Sequence, residues 1–88
     1  MVKVIKRSGK QQVFSVVKIR KSVLAAAKDA RLSAAKTKQV VEDVSMSIQK
    51  SLKGKKVIRS VDLRKKILGR LDRLARSVAR AWREYDNY

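Results

Sequence analysis

The sequence predicts an α+β fold, in which a small β-hairpin or three-stranded sheet packs on a bundle of three to four helices. Three observations predict it. Two short β-prone segments flank a Ser-Gly pair near the beginning, a third short apolar segment lies mid-chain, and other apolar residues recur at three- and four-residue spacing. A length of 88 residues with 44% hydrophobic residues suffices for one small domain with a compact core. We therefore expect residues 1–88 to form a single domain, and self-association would add stability to it.

The first two segments, Val2–Lys6 and Gln11–Phe14, are predicted to pair as a β-hairpin. Gly9 lies in the connection between them, and glycine readily takes the positive φ that a tight turn demands. The third segment, Val57–Arg59, is too short for a helix, so we expect it to add a strand beside the hairpin.

Two helices are predicted between the hairpin and the third strand. Ser15 is placed to cap a helix over about 16–28, because its hydroxyl can accept hydrogen bonds from the first free N–H groups. Ser33 is placed in the same way before a helix over about 34–52, and Gly54 follows that helix as a C-terminal stop.

The last third of the chain is predicted to be helical from Ser60, which we expect to be the N-cap, with Asp62 in the first turn. One apolar stripe runs through it, formed by Leu63, Ile67, Leu71, Leu74, Val78, Ala81, Trp82 and Tyr85. Gly69 is the weak point, at roughly 1 kcal/mol relative to alanine. We therefore expect either one long helix that bends there or two helices that meet near residues 69–72.

The charge of the chain predicts a polyanionic partner. Its 24 Lys and Arg residues exceed its 7 Asp and Glu residues by 17. The candidates are nucleic acid, nucleotide phosphates and an anionic membrane surface. The chain contains no Cys and no His, which excludes thiolate chemistry, cysteine-based zinc sites and the commonest general base. We therefore do not expect an enzyme.

The N-terminal residues do not resemble an export signal, because Lys3, Lys6, Arg7 and Lys10 interrupt the apolar positions. The longest apolar run, Val23–Ala27, is far shorter than the ~20 residues that a spanning helix needs. We expect a soluble, cytoplasmic protein that does not act at a membrane.

A basic stripe accompanies the apolar one in the last third of the chain. At about 100° per residue its members fall on one solvent face, and they are Lys66, Arg70, Arg73, Arg76, Arg80 and Arg83. Arginine favours phosphate because its planar fork can donate two hydrogen bonds. Asp72 and Glu84 are too few to neutralise the stripe. The stripe predicts contact with DNA or RNA. The ordinary alternative to nucleic-acid contact is that the stripe is a solvated helix face. A helix lying on a membrane is disfavoured, because the core of so small a domain needs the apolar face of the helix.

The N-terminal third carries a spaced motif. Val4-Ile5-Lys6-Arg7-Ser8-Gly9 is followed by Phe14, by Lys18-Ile19 and by Ser22-Val23-Leu24. This spacing resembles the opening of the ATP-cone. The pattern there is Lys-Arg, one residue, Gly, four residues, Phe, three residues and Lys-Ile. The ATP-cone is a small regulatory nucleotide-binding domain of ribonucleotide reductases and of a bacterial repressor of their genes. The segment 57–63 is similar to the strand-into-helix junction of that family, so the resemblance covers essentially the whole chain.

The resemblance implies binding of ATP or dATP, with magnesium. The residues to which it assigns the nucleotide are Val4, Lys6, Arg7, Gly9, Gln12, Lys18, Ser60 and Arg64. Physically, a hairpin would present two cations beside a glycine, a first-turn lysine would converge on the same anion, and a helix N-terminus would add N–H donors. The alternative is that these cations are solvated surface charge. In the family, nucleotide binding changes how cones associate and so switches an enzyme or a repressor.

The chain departs from the family at several positions. The family has an acid at Ser8, Glu at Gln12, Pro at Val13 and Asp at Ser15. Gln12 keeps hydrogen-bonding capacity without charge. Trp82 either stacks on the base or fills the core, and the core role is favoured.

These departures, together with the added arginines, leave two hypotheses. One is a free-standing ATP-cone, a nucleotide-sensing regulatory module that acts through another protein or through its own oligomerisation. The other is a DNA- or RNA-binding basic protein on an ATP-cone scaffold, with the nucleotide pocket retained or lost. A nucleotide-responsive DNA-binding regulator would combine them. A third possibility is a purely structural, chromatin-like coat protein, which would need only the positive charge and no nucleotide pocket.

Overall fold

The computed structural model describes residues 1–85, in which the elements follow the order ββααβαα. Their bounds are β1 Lys3–Ile5, β2 Gln11–Val13, α1 Val16–Asp29, α2 Ala34–Leu52, β3 Val57–Arg59, α3 Ser60–Leu74 and α4 Arg76–Trp82. The predicted α+β class is confirmed. The two hairpin strands are shorter than predicted, whereas the bounds of β3 and α2 agree with the predicted ones.

The three strands form one mixed sheet in the order β2-β1-β3, with β1 antiparallel to β2 and parallel to β3. Val4 in the central strand is opposite Gln12 on one side and Ile58 on the other. Because side chains directly opposite each other share a face, these three point to the same side of the sheet. Val4 and Ile58 are buried, so this is the side on which the helices pack.

The hairpin connection is a tight turn. The Lys6 N–H donates to the Lys10 carbonyl and the Gly9 N–H donates to the Lys6 carbonyl, each at 2.8 Å. Gly9 has a φ of +88°, the left-handed conformation predicted for it. Lys6 and Arg7 are therefore held at the end of β1 by the geometry of the turn.

Serine caps begin α1 and α2 as predicted. The Ser15 hydroxyl accepts from the Lys18 N–H at 3.4 Å, and the Ser33 hydroxyl accepts from the Lys36 N–H at 3.2 Å. The prediction for Ser60 was wrong. Ser60 is the buried first residue of α3, and the N-cap is Arg59, whose side chain makes no capping hydrogen bond within residues 1–85. The strand β3 runs directly into α3, so the cap position falls on the last residue of the strand.

Two helices meet in this part of the chain, as one of the two predicted alternatives has it, but the predicted position near residues 69–72 was wrong. Gly69 lies inside α3, and the chain turns at Ala75, whose backbone is extended (φ −164°, ψ 101°). Beyond the turn α4 runs back along α3, since Arg64 in the first half of α3 contacts Tyr85. The reversal packs α4 against α1 and α3. A straight continuation of α3 would carry Trp82 away from α1.

The core is mostly aliphatic and is built around Trp82, which is fully buried. The Trp82 Nε1–H donates to the Ser22 hydroxyl at 2.9 Å, and that hydroxyl donates to the Ile19 carbonyl at 3.0 Å. The favoured core role of Trp82 is confirmed. None of the helices within residues 1–85 has both the length and the apolar character required to cross a membrane.

Candidate functional site

A cleft of about 490 Å³ lies between the hairpin turn, the beginning of α3 and the end of α4. Its lining residues are Lys6, Arg7, Ser8, Ser60, Val61, Arg64, Arg83 and Tyr85. The sheet register positions Lys6 and Arg7, the junction of β3 with α3 positions Ser60 and Val61, and the turn at Ala75 brings Arg83 and Tyr85 to the opposite wall. The cleft therefore unites segments that are far apart in the sequence.

The lining is strongly electropositive. Four of the eight lining residues are cations, and none of the eight is an acid. Two acids outside the lining contact residues within it: Asp29 accepts a hydrogen bond from the Tyr85 hydroxyl at 2.7 Å, and Asp72 lies 3.8 Å from the Arg83 guanidinium, where both side chains are about half exposed. Cations that surround a concave surface without compensating carboxylates raise the local concentration of anions. The cleft is therefore suited to an anion with several charges.

The N-terminus of α3 opens onto the same cleft. The first N–H groups of a helix have no partner inside the helix and carry the positive end of its dipole. Ser60 and Val61, the first two residues of α3, line the cleft. Backbone donors in this arrangement suit phosphate oxygens.

Arg64 organises the wall formed by the end of α4. Its two terminal nitrogens donate to the carbonyls of Tyr85, at 2.8 Å, and of Arg83, at 3.4 Å. Its guanidinium carbon lies 4.7 Å from the centroid of the Trp82 ring, within the range of a cation–π contact. Arg64 therefore holds the last described residues against α3 and adds positive charge to the cleft.

Tyr85 is also anchored through its side chain. Its hydroxyl donates to Asp29 Oδ2, at the end of α1, at 2.7 Å. This hydrogen bond to a carboxylate raises the pKa of the Tyr85 hydroxyl. The wall that contains Arg83 is thus tied both to α1 and to α3.

Four of the predicted nucleotide residues line the cleft, namely Lys6, Arg7, Ser60 and Arg64. The other four do not line it. Val4 is fully buried in the core, so its side chain contributes packing rather than a ligand contact. Gly9 shapes the turn, and Lys18 is exposed on the first turn of α1.

Gln12 is the fourth, and it lies next to the cleft. It faces the same side of the sheet as Val4 and is the diagonal cross-strand neighbour of Lys6. Its side-chain nitrogen is buried and has no hydrogen-bond partner among the residues that the structure describes. A buried amide nitrogen without an acceptor costs free energy, which a ligand that supplies the acceptor would recover.

A family model described as the ATP cone domain matches residues 2–88. The chain belongs to the ATP-cone family. A search of curated proteins gave no match. ATP-cones are regulatory domains that bind ATP or dATP as allosteric effectors, so this chain is a nucleotide-binding regulatory module.

The predicted basic stripe is not one surface of the cone. The turn at Ala75 ends the helical progression, so Lys66, Arg70 and Arg73 lie on α3 and the other three arginines lie on α4. Arg70 donates from Nε to Asp43 Oδ1 on α2 at 2.6 Å, which orients this side of α3 toward α2. Arg83 lines the cleft instead. The prediction of a single continuous face was wrong.

The sequence motif did not identify every residue that lines the cleft of this cone. The four residues that were not predicted for it are Ser8, Val61, Arg83 and Tyr85. Ser8 lies inside the spaced motif and Val61 follows the predicted Ser60, so both could be inferred from adjacency. Arg83 and Tyr85 reach the cleft only because α4 folds back, a contact that helical periodicity does not reveal.

Magnesium has no carboxylate ligand in this lining. The ion prefers oxygen ligands and commonly binds one or two carboxylates together with substrate phosphates. No acid is among the eight residues that line the cleft, and residues 1–85 contain no cluster of three or more His, Cys, Asp or Glu side chains that could hold a metal. The lining therefore offers a magnesium ion no carboxylate ligand, and the presence of magnesium with the nucleotide stays a prediction.

Proposed function

We propose that the cleft binds the phosphates of ATP or dATP and that the cone acts as a nucleotide-sensing regulator, without catalysis. One observation carries the proposal: four cations and the N-terminus of α3 converge on one cleft whose lining contains no acid. Lys6, Arg7 and Arg83 would bind phosphate oxygens directly. Ser8 and Ser60 would add hydroxyl groups, and Arg64 would keep the α4 wall in position.

The side-chain amide of Gln12, whose nitrogen has no partner in the described part of the chain, is the proposed contact for the base. An amide can donate and accept at the same time, and adenine presents an amino donor beside a ring-nitrogen acceptor. Gln12 is adjacent to Lys6, so a nucleotide whose phosphates lie at the turn could extend its base toward this side chain. We propose that this contact favours adenine over guanine.

The proposal is tested by calorimetric titration with ATP and GTP side by side, with magnesium present, at ~0.15 M salt. The two nucleotides carry the same phosphates, so charge alone would bind them equally. We expect tighter binding of ATP. Equal, weak binding of both would contradict a working nucleotide site and would leave the cone as a scaffold.

Two variants separate the phosphate contact from the base contact. Lys6→Ala should weaken ATP and GTP alike by roughly 10- to 100-fold, because a hydrogen bond to a charged group contributes about 1.5–3 kcal/mol. Gln12→Ala should weaken ATP by roughly 3- to 10-fold and leave GTP unchanged, since a neutral hydrogen bond contributes about 0.5–1.5 kcal/mol. The matched control is Lys21→Ala, which removes an exposed cation of α1 that does not line the cleft. Equal losses in all three variants would contradict the assignment.

We further propose that the cone contacts nucleic acid and that nucleotide binding alters its self-association. The net charge of +17 supports the first part, because it far exceeds what a nucleotide would neutralise. Light scattering with and without ATP tests the second part. A molar mass that is the same with and without ATP, over a 100-fold range of protein concentration, would contradict it.

A further inference from the structure

Two open depressions meet at Lys66 on α3. The first lies beside β3, the second lies between α2 and α3, and Lys66 lines both. Together they form a continuous surface that we name the basic strip, with the cations Lys55, Arg59, Lys65, Lys66, Arg70 and Arg73. Along α3 the strip extends about 21 Å from Arg59 to Arg73, at 1.5 Å per residue.

Most of this charge is not compensated. The two acids at the strip are Asp62, which pairs with Arg59 at 3.2 Å, and Asp43, which pairs with Arg70 at 2.6 Å. The remaining four cations make no ion pair within residues 1–85, and they are Lys55, Lys65, Lys66 and Arg73. Their separation along α3 and the adjoining loop suits a ligand whose charges repeat along a line.

We infer that the basic strip binds the sugar–phosphate backbone of duplex DNA. Its length corresponds to about six base pairs of duplex, at 3.4 Å per base pair. No aromatic residue lines either depression, so the strip lacks the stacking platforms by which proteins hold unpaired bases. Small residues, Ser47, Ser51 and Gly69, leave the α2–α3 part open to a wide ligand.

The strip is separate from the nucleotide cleft. Lys66 lies about 200° around α3 from Arg64, so the two side chains leave opposite sides of the helix. No residue of the strip lines the cleft. The inference rests on the proposed nucleic-acid contact and specifies its surface, which excludes the exposed arginines of α4.

The test measures binding of a 20-base-pair duplex DNA by fluorescence anisotropy over a range of salt concentrations. Lys66→Gln/Arg73→Gln removes two charges from the strip, and the matched control Arg76→Gln/Arg80→Gln removes two exposed charges from α4. We expect the strip pair to weaken binding tenfold or more and to reduce the salt slope by roughly 0.9 per lost phosphate contact. The control should leave the slope unchanged.

A second strip pair, Lys55→Gln/Lys65→Gln, should give the same result as the first, and the thermal unfolding of every variant is compared with that of the unaltered chain.

Equal losses of DNA affinity in the strip pairs and in the α4 pair would overturn the strip as the DNA-binding surface, while leaving the proposed nucleic-acid contact intact. Tighter binding of single-stranded DNA, duplex RNA or anionic phosphatidylserine vesicles would overturn duplex DNA as the ligand. No DNA binding by the unaltered chain at ~0.05 M salt would overturn the nucleic-acid part of the proposed function as well, whereas the ATP titration tests the cleft independently.

Discussion

At the residue scale, the hydrogen bond from the Trp82 indole to Ser22 fixes how α4 joins the core. The indole nitrogen and the serine hydroxyl are both buried, and the hydroxyl in turn donates a hydrogen bond to the Ile19 carbonyl. A buried donor that loses its acceptor costs more free energy than the bond contributes when it is present. The contact therefore specifies one orientation of a large side chain.

We predict that Ser22→Ala lowers the free energy of unfolding by about 1–3 kcal/mol, because the indole N–H is then buried without an acceptor. Urea denaturation measures the change. The control is Ser51→Ala, which removes a partly buried hydroxyl that donates to a helix carbonyl and should cost less than about 0.5 kcal/mol. In a double-mutant cycle, Ser22→Ala should cost less in a Trp82→Phe background. Equal costs in the two backgrounds would show that the hydrogen bond is not the cause.

At the element scale, α2 is tied by charge to both of its neighbours. Glu42 pairs with Arg20 on α1, which also donates to the Ser45 hydroxyl at 3.0 Å, and Asp43 pairs with Arg70 on α3. The hydrogen bonds from these arginines lower the pKa of Glu42 and of Asp43 below their ordinary values of 4.5 and 3.8. Both pairs are partly exposed, so each contributes modestly.

The sign of the pH dependence follows from these shifts. A carboxylate whose pKa is lower in the folded chain stabilises the fold above its unfolded pKa, and that stabilisation is lost as pH falls through the folded value. We predict that stability declines as pH falls below about 4.5, and that Glu42→Gln/Asp43→Asn flattens this part of the curve. Thermal unfolding between about pH 2 and pH 7 measures it. Glu84→Gln, which removes an exposed carboxylate that makes no ion pair in the described part of the chain, should not flatten the curve.

The elements that local chemistry determines were predicted from the sequence. The caps at Ser15 and Ser33, the glycine turn and the short third strand are all set by residues within a few positions. The turn at Ala75 was not predicted, because it is set by the packing of α4 on α1. Gly69 was misleading, since a glycine in a helix costs only about 1 kcal/mol, which packing can override.

The residues of the candidate site likewise divide into those set by local sequence and those set by long-range packing. Lys6 and Arg7 belong to a local motif and were predicted, whereas Arg83 enters the cleft through the long-range return of α4. The helical wheel assigned Arg83 to the basic stripe because it assumed a helix that continues past residue 75. A wheel is valid only as far as its helix is unbroken.

At the scale of the whole molecule, the net charge of +17 acts on a body whose longest dimension is 36 Å. At about 0.01 M salt the Debye length is about 30 Å, so nearly all of the positive charges repel one another. At about 0.1 M it is about 10 Å, and only neighbours interact. Self-repulsion of this kind destabilises a compact state.

We predict that the midpoint of thermal unfolding rises as NaCl is increased from about 0.01 M to about 0.3 M, because screening relieves this repulsion. Calorimetry at neutral pH measures the midpoint. Lys21→Gln/Lys36→Gln, which removes two exposed charges outside the cleft and the basic strip, should raise the midpoint at low salt and reduce its salt dependence. A midpoint that falls with added salt would mean that the ion pairs of α2 outweigh the repulsion.

Because α3 carries the cleft on one side and the basic strip on the other, the two proposed ligands are thermodynamically linked. A nucleotide in the cleft adds several negative charges on the opposite side of α3 from the strip, so by charge alone it opposes a polyanion there. Linkage is reciprocal, and DNA must then weaken nucleotide binding by the same factor. This antagonism fades as salt is added. The cone would thus release DNA when nucleotide is abundant, with a sensitivity set by ionic strength.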